Sequence, residues 1–275
     1  MAVDLPVAMI AATVKIEQPQ AGGNIVILGT GFLVNAPKPD GSPRTVLVTA
    51  GHVFDNMPGA VAYIDYRLPT PGGGWKYSPQ ALTIRANPSL LWTKSPGEDV
   101  AVIAVQAPPE FARTAIPLSW LADETSFSGA GVEPGDEMFA LGFPEGLSAN
   151  PEGFPILRTA HVASYPLVTA PAYPRYMLDM RVLMGESGGP VFLASPLQRR
   201  PGDTVAGTPY VTGLIASAAP KYEWAFVIES PVIRRAIAKL DEAPAPSPIE
   251  TSGGFVMTPP PPPPTSASPA ADATP

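Results

Sequence analysis

The chain of 275 residues has no cysteine and only two histidines, His52 and His161. The lack of cysteine excludes disulfides, thiolate metal sites and a cysteine nucleophile. Two histidines supply too few nitrogen ligands for a typical transition-metal site. We therefore expect neither a catalytic metal nor another cofactor.

Long apolar runs and excess positive charge are also missing. No stretch approaches the roughly 18 apolar residues that a membrane-spanning helix needs, so no membrane span is expected. A net charge of −7 disfavours nucleic acid and anionic membranes as partners. The first residues carry Asp4 and no basic residue, unlike a secretory signal. The location is expected to be cytoplasmic if Met1 is the native start, and exported if a leader preceded it.

Helical periodicity is scarce. Short apolar runs separated by Gly, Pro, Asn and Asp predict an all-β protein, whose first strand is expected from Ala8 to Ile16. A proline-bearing connector over 106–134 separates two series of predicted strands. The expected division is an N-terminal domain at 1–116, a C-terminal domain at 117–241 and a tail at 242–275.

The end of the chain combines one helix with a proline-rich tail. The helix is predicted to begin with Ser230 as its cap and Pro231 in its first turn. The tail contains 11 prolines in its 34 residues and is predicted to be disordered. Its run 259–264 favours polyproline II, so the tail is either a spacer or a docking peptide for a partner.

A single serine in a glycine-rich hexapeptide, Gly185-Glu-Ser-Gly-Gly-Pro190, is the candidate nucleophile. Ser187 would need a base, a group that orients the base, and donors for an oxyanion. The motif also matches the nucleophile elbow of α/β-hydrolases, which requires a histidine after the serine and a helix. No histidine follows Ser187, and Gly189-Pro190 would interrupt that helix, so the elbow is excluded.

The base and the acid come from the ends of two predicted strands. His52 follows an apolar run that ends at Ala50-Gly51, whereas His161 lies within a strand pattern and is expected to be structural. Asp99 stands directly before the strand-like run Val100–Val105. Its neighbour Glu98 remains an alternative acid.

These motifs carry a family resemblance. Thr49-Ala-Gly-His52, Asp99-Val-Ala-Val102 and Gly185–Pro190, in this order, resemble the chymotrypsin-type (trypsin-like) serine proteases, and are closest to the cysteine-free bacterial HtrA- and V8-like members. The similarity covers about residues 7 to 240. It implies two six-stranded antiparallel β-barrels with a closing helix. It also implies an endopeptidase that cleaves protein or peptide substrates through a Ser-His-Asp triad and an acyl-enzyme.

The resemblance also suggests further site residues. The backbone N–H groups of Gly185 and Ser187 would form the oxyanion hole. Arg181 lies six residues before the serine, where the family places the floor of the S1 pocket, and Ala216 to Ala218 would form its wall. Arg181 would favour an acidic P1 residue, or would instead point into solvent or pair with a neighbouring carboxylate. The strand Val211–Ser217 lacks the histidine that V8-like enzymes carry there.

Two acidic residues near the serine have expected roles of their own. By the same resemblance, Asp179 shapes the loop before the nucleophile. Glu186 stands where animal proteases have an aspartate that receives a newly cut N-terminus. The activity is therefore expected to be constitutive or set by the order of this loop. The alternative function is a catalytically silent binding or scaffold protein with the protease fold.

Overall fold

Two mainly antiparallel sheets dominate the described part of the chain. The computed structural model describes residues 4–20, 26–86, 88–125, 132–165, 167, 173–193, 211–219 and 223–242. The first sheet consists of β1 (Thr13–Pro19), β2 (Val26–Asn35), β3 (Thr45–Ala50), β4 (Val61–Pro69), β5 (Trp75–Thr83), β8 (Thr93–Lys94), β9 (Val100–Val105) and β10 (Ile116–Pro117). Its order is β5-β4-β1-β2-β3-β9-β8, and β10 pairs with β2 in parallel.

The second sheet follows later in the chain. It consists of β11 (Glu137–Gly142), β12 (Ile156–His161), β13 (Arg175–Leu178), β14 (Pro190–Leu193), β15 (Val211–Ala219) and β16 (Trp224–Glu229), in the order β12-β11-β14-β15-β16-β13. A small separate ladder pairs β6 (Arg85–Ala86) with β7 (Ser89–Leu90). The described helices are α1 (Leu5–Ala12), α2 (Gly51–Asp55), α3 (Pro109–Ala112) and α4 (Ser230–Lys239), with 3-10 turns at Leu118–Trp120 and Pro144–Gly146.

The predicted fold class is confirmed: the protein is mostly β and has a helix near its end. Within the described residues the second sheet has six strands, whereas the first has eight, counting the two-residue strands β8 and β10. The boundary at 116/117 stays a prediction. The predicted disorder of the tail concerns residues that, after 242, lie outside the described part.

The pairing of β3 with β9 positions two candidate site residues. Both strands are short apolar runs, and Val46, Leu47, Val48, Val100 and Val102 are fully buried. Their antiparallel register places Ala50 opposite Val100. The carboxyl end of β3 therefore meets the amino end of β9.

The predicted first strand, Ala8 to Ile16, is wrong in its first half. Residues 5–12 form α1, and the strand begins only at Thr13. Asp4 caps the helix by accepting a hydrogen bond from the Val7 N–H at 3.2 Å. The apolar residues of α1 give no helical period in the sequence, and Leu5, Met9 and Ala12 are buried. The Asp4 cap and the burial of these three side chains stabilise a helix here instead of a strand.

The predicted closing helix is confirmed as α4, but Ser230 is not its cap. The cap position belongs to Glu229, and the Ser230 hydroxyl instead donates to the Val211 carbonyl at 2.5 Å. Glu229 is 1% exposed, and neither of its carboxyl oxygens has a hydrogen-bond partner within the described part of the chain. Burial raises its pKa to about 7, although the Arg235 charge opposes the shift.

A buried arginine links the first sheet to a loop that precedes β12. Arg67 on β4 is 1% exposed, and its guanidinium lies between the rings of Phe111 (5.0 Å) and Phe154 (4.9 Å). It donates hydrogen bonds to the carbonyl oxygens of Ile10, Ala11, Thr13 and Gly153. Burial lowers its pKa to about 10, while the nearby Asp65 charge opposes the shift. The single side chain therefore holds the end of α1, the start of β1 and the 150–154 loop together.

Replacement of this guanidinium should destabilise the fold strongly. Arg67→Met keeps an apolar stem but leaves buried carbonyl oxygens without donors, so the free energy of unfolding should fall by about 3 kcal/mol or more. Urea unfolding measures the loss. Arg113→Met, which removes an exposed arginine, should change it by less than about 0.5 kcal/mol. Equal losses for the two variants would contradict the role of Arg67.

The orphaned carboxyl of Glu229 predicts an unusual pH dependence of stability. Its pKa is higher in the folded than in the unfolded chain, so ionisation costs stability progressively as the pH rises from about 4.5 to about 7. Glu229→Gln should be stabilising above pH 7, by up to about 3 kcal/mol, and nearly neutral at pH 4. Unfolding at both pH values measures this difference. Glu137→Gln, at an exposed position, should show no such difference between the two pH values. If Glu229→Gln stabilises the protein equally at both pH values, the effect does not come from ionisation of Glu229.

Candidate active site

The candidate base and acid are in direct contact. Because β3 ends beside the start of β9, His52 in α2 lies next to Asp99. The Asp99 carboxylate accepts the His52 backbone N–H at 2.7 Å and contacts the imidazole Nδ1 at 2.6 Å. One carboxylate thus fixes both the main chain and the ring of the histidine. The side chains are 38% and 27% exposed, so solvent and a substrate can reach the ring.

The charge of Asp99 is set by competing effects. Burial by itself raises the pKa of Asp99, but the hydrogen bonds from His52 and the charges of His52 and Lys94 bring it below its ordinary value. Asp99 is therefore ionised at neutral pH. The alternative acid, Glu98, instead pairs with Arg175 on β13, at 2.8 and 3.0 Å.

The candidate nucleophile lies in a loop that is pressed against the end of β3. The Ser187 carbonyl accepts the Thr30 N–H at 2.8 Å. Gly188 has φ +86°, and a Cβ there would lie 2.2 Å from the Thr30 carbonyl oxygen and 2.8 Å from the Ala50 nitrogen. Only glycine permits this approach. It brings Ser187 to the end of β3, two residues before His52, although no hydrogen bond joins His52 to Ser187 in the described part of the chain.

The peptide between Met184 and Gly185 is held in one orientation. Gly185 has φ +93°, and a Cβ would lie 2.4 Å from the Phe143 carbonyl oxygen. The Met184 carbonyl accepts the Glu145 N–H at 2.6 Å. In a trans peptide the C=O and N–H point in opposite directions, so the Gly185 N–H points away from Glu145. Among the backbone hydrogen bonds of the described residues, none uses the N–H of Gly185 or Ser187.

Thr30 is a site residue that sequence reasoning missed. Its hydroxyl donates to the Gly185 carbonyl at 2.6 Å and accepts the Phe143 N–H at 3.2 Å. Its carbonyl accepts the Thr49 hydroxyl at 2.7 Å. The sequence feature that points to Thr30 is the motif Gly29-Thr-Gly31. Its glycines indicate only that the backbone passes close to another segment, and they do not identify that segment.

Glu186 is buried next to the candidate nucleophile and forms an ion pair with Arg158. It is 1% exposed, and both carboxylate oxygens lie 2.8 Å from Arg158 Nη1. One of them also accepts the Leu183 N–H at 2.6 Å. Arg158 on β12 donates further to the Arg181 carbonyl at 2.7 Å. This pair ties the loop 181–187 to the second sheet.

The three predicted S1 residues differ in their surroundings. β15 lies beside the serine loop, because the Ile215 carbonyl accepts the Gly188 N–H at 2.7 Å and the Ile215 N–H donates to Gly189 at 2.9 Å. Ala216 is therefore close to the loop, and it is buried. Arg181 is exposed, and no ion pair involves it among the described residues. The side chain of Ala218 lies outside the described part.

His161, the second histidine, contacts Asp179 instead of Asp99. His161 ends β12, and its side chain is 51% exposed, so it is not buried in the sheet. Asp179 accepts the His161 N–H at 2.5 Å and lies 3.3 Å from its Nδ1. The acid therefore fixes the end of β12. Within the described ranges no group of three or more His, Asp or Glu could hold a metal ion, and no helix could span a membrane.

The sequence also matches a known family. The family described as trypsin-like peptidase domain matches residues 29–195, which is more than half of the chain and includes His52, Asp99 and Ser187. The chain belongs to the trypsin-like peptidase family. It is accordingly a protease, a hydrolase of peptide bonds. The HtrA- and V8-like subtype and the bacterial origin stay predictions, and no curated protein matches the chain.

The chain also resembles solved structures at low sequence identity. A protein named HBP is 15% identical, with a TM-score of 0.54 over 88% of this chain and 96% of that one. The active form of the Rv3671c protease of M. tuberculosis is 20% identical, with a TM-score of 0.48 over 90% and 87%. The thermostable serine protease AL20 from an extremophilic microorganism is 12% identical, with a TM-score of 0.49 over 86% and 100%. The likeness to HBP shows a chymotrypsin-like fold.

Loss of the Glu186–Arg158 pair should reduce catalysis more than folding. Glu186→Gln keeps the shape of the side chain but removes the charge, so the loop 181–187 should shift and kcat should fall by on the order of 10²-fold. Arg158→Met should have a similar effect, and the double variant should lose little more than either single one.

Hydrolysis of a small peptide ester measures kcat, and circular dichroism checks that each variant is folded. Glu152→Gln is the control for loss of an acidic residue elsewhere, and it should retain kcat. Strictly additive losses in the double variant would show that the two side chains act independently.

Proposed function

We propose that this protease is a serine endopeptidase in which Ser187, His52 and Asp99 form the catalytic triad. The contact that carries the proposal is the double hydrogen bond of Asp99 to the main chain and the ring of His52. It fixes the tautomer in which Nδ1 bears a proton and Nε2 is free to act as a base. The packing of Gly188 on the end of β3 supports Ser187 as the nucleophile.

Acylation transfers one proton and breaks one bond. The Ser187 hydroxyl attacks the carbonyl carbon of the scissile peptide while His52 Nε2 accepts its proton. The resulting tetrahedral oxyanion receives hydrogen bonds from the N–H groups of Gly185 and Ser187, which have no acceptor among the described residues. His52 then gives the proton to the leaving amine, and the acyl-enzyme remains.

Deacylation repeats the same steps with water. His52 removes a proton from a water molecule, which attacks the acyl carbon and forms a second oxyanion in the same hole. Collapse of this intermediate releases the carboxylic acid and returns the proton to Ser187. The missing hydrogen bond between His52 and Ser187 fits this cycle, because such bonds are often long before a substrate binds.

The P1 side chain is proposed to bind beside β15. Ala216 has a small side chain beside the serine loop, and the Arg181 carbonyl accepts a hydrogen bond from Arg158 at 2.7 Å. An arginine at this place disfavours basic P1 residues and favours acidic ones. The exposure of Arg181 limits this preference, because solvent screens its charge.

A fluorophosphonate probe tests the nucleophile. The wild-type protein should gain the mass of one phosphonyl group on Ser187, and Ser187→Ala should gain none. Ser89→Ala, at an exposed serine of β7, is the matched control and should still be labelled. Hydrolysis of a peptide library should fall by a factor of about 10⁴ or more in Ser187→Ala.

Two outcomes would overturn the proposal. Labelling of Ser187→Ala at the wild-type rate would exclude Ser187 as the nucleophile. A folded wild-type protein that neither reacts with the probe nor cleaves the library would favour the binding or scaffold function. The same library records the P1 preference, and cleavage mainly after Lys or Arg would refute the role given to Arg181.

A further inference from the structure

The carbonyl oxygens around the candidate nucleophile are held by hydrogen bonds. Four consecutive carbonyls, from Met184 to Ser187, each accept a donor at 2.6 to 3.0 Å. In chain order of the acceptors, the donors are the Glu145 N–H, the Thr30 hydroxyl, the Gly189 N–H and the Thr30 N–H. Because each peptide group is planar, these bonds fix the orientation of the planes on both sides of the serine.

The N–H groups of the same segment fall into two sets. Those of Glu186 and Gly188 donate to backbone carbonyls, at 3.2 and 2.7 Å. Those of Gly185 and Ser187 have no acceptor among the described residues. These two groups are therefore available to an oxyanion, provided that the planes keep their orientation.

The Thr30 hydroxyl is the single side chain among the four donors. Thr30 is fully buried, and its hydroxyl donates its one proton to the Gly185 carbonyl at 2.6 Å while it accepts the Phe143 N–H at 3.2 Å. The plane that it holds, between Gly185 and Glu186, lies between the two available N–H groups. The other side of this plane is held by the longer bond from the Glu186 N–H, at 3.2 Å.

The position of Thr30 is itself set by the strand that leads to His52. The Thr49 hydroxyl on β3 donates to the Thr30 carbonyl at 2.7 Å, and Thr49 lies opposite Gly31 in the pairing of β2 with β3. Thr49 precedes His52 by three residues. One residue of β2 is thus bound to the strand before the proposed base and to the loop of the proposed nucleophile.

We propose that the Thr30 hydroxyl positions the oxyanion hole of this protease. The inference rests on the proposed function, in which the N–H groups of Gly185 and Ser187 bind the oxyanion. The hydroxyl keeps the plane between these two donors in one orientation, so that both N–H groups point to the same oxygen. Thr30 touches no reacting atom in this scheme and acts only through the Gly185 carbonyl.

Removal of the hydroxyl should lower kcat and leave KM nearly unchanged. Thr30→Val keeps the branched shape but has no donor, so kcat for a small peptide ester should fall by about 10²-fold, with a change in KM of less than about threefold. The rate of labelling by a fluorophosphonate should fall as well, because the charge on the phosphonyl oxygen needs the same donors. Thr30→Ser keeps the hydroxyl and should retain kcat to within about threefold.

A matched control separates catalysis from stability. Thr13 is as fully buried as Thr30, and its hydroxyl donates to the Met9 carbonyl at 2.7 Å. Thr13→Val should therefore lower stability but keep the wild-type kcat per folded molecule, with the folded fraction measured by circular dichroism. If Thr30→Val does not fold, Thr30→Cys replaces it, because a thiol is a weaker donor than a hydroxyl and should lower kcat in the same direction.

Two results would overturn the inference. A loss of kcat in Thr30→Val no greater than in Thr13→Val, or a Thr30→Ser variant as slow as Thr30→Val, would show that the hydroxyl serves only stability. Failure of the proposed function appears separately, in a wild-type protein that neither reacts with the probe nor hydrolyses the ester. Amide NMR decides the positioning role even then, because unchanged Gly185 and Ser187 signals in Thr30→Val would refute it.

Discussion

The hydrogen bonds of Thr30 to the serine loop are the constraint on which the site depends. Its N–H holds the Ser187 carbonyl, and its hydroxyl holds the Gly185 carbonyl, so one residue of β2 fixes the loop on both sides of Glu186. The proposed base and acid lie next to the ends of β3 and β9 in the first sheet, whereas the serine loop leads directly into β14 of the second. The Thr30 hydrogen bonds therefore connect the loop of the proposed nucleophile to the sheet that positions His52 and Asp99.

Three buried charged side chains of this protein differ in how their charge is compensated. Glu186 is compensated by Arg158, and Arg67 is compensated by carbonyl oxygens and two aromatic rings. The carboxyl oxygens of Glu229 have no hydrogen-bond partner among the described residues. The first arrangement fixes the loop that carries Ser187, the second joins the first sheet to the 150–154 loop, and the third is expected to make stability depend on pH. Burial alone therefore does not indicate the role of a charged residue.

The sequence was sufficient for those features that depend on local chemistry. The apolar run after Asp99 predicted β9 with its observed bounds, and the presence of only two histidines left few candidates for the base. The site residue that was missed, Thr30, acts through partners far away in the chain. A threonine between two glycines carries no sign that it will bind a loop 155 residues later. The helix α1 was missed because its residues are apolar on every side, so that only the Asp4 cap distinguished it from a buried strand.

The long reach of the Thr30 contacts has a consequence for the nascent protein. Synthesis produces the histidine and its acid first, and the serine loop leaves the ribosome only after a further 88 residues of chain. The loop can then dock onto β2, which was synthesised long before it. Under the proposed triad, a chain still being translated holds the base and the acid without the nucleophile, so it hydrolyses no peptide bond until the serine loop has folded against the first sheet.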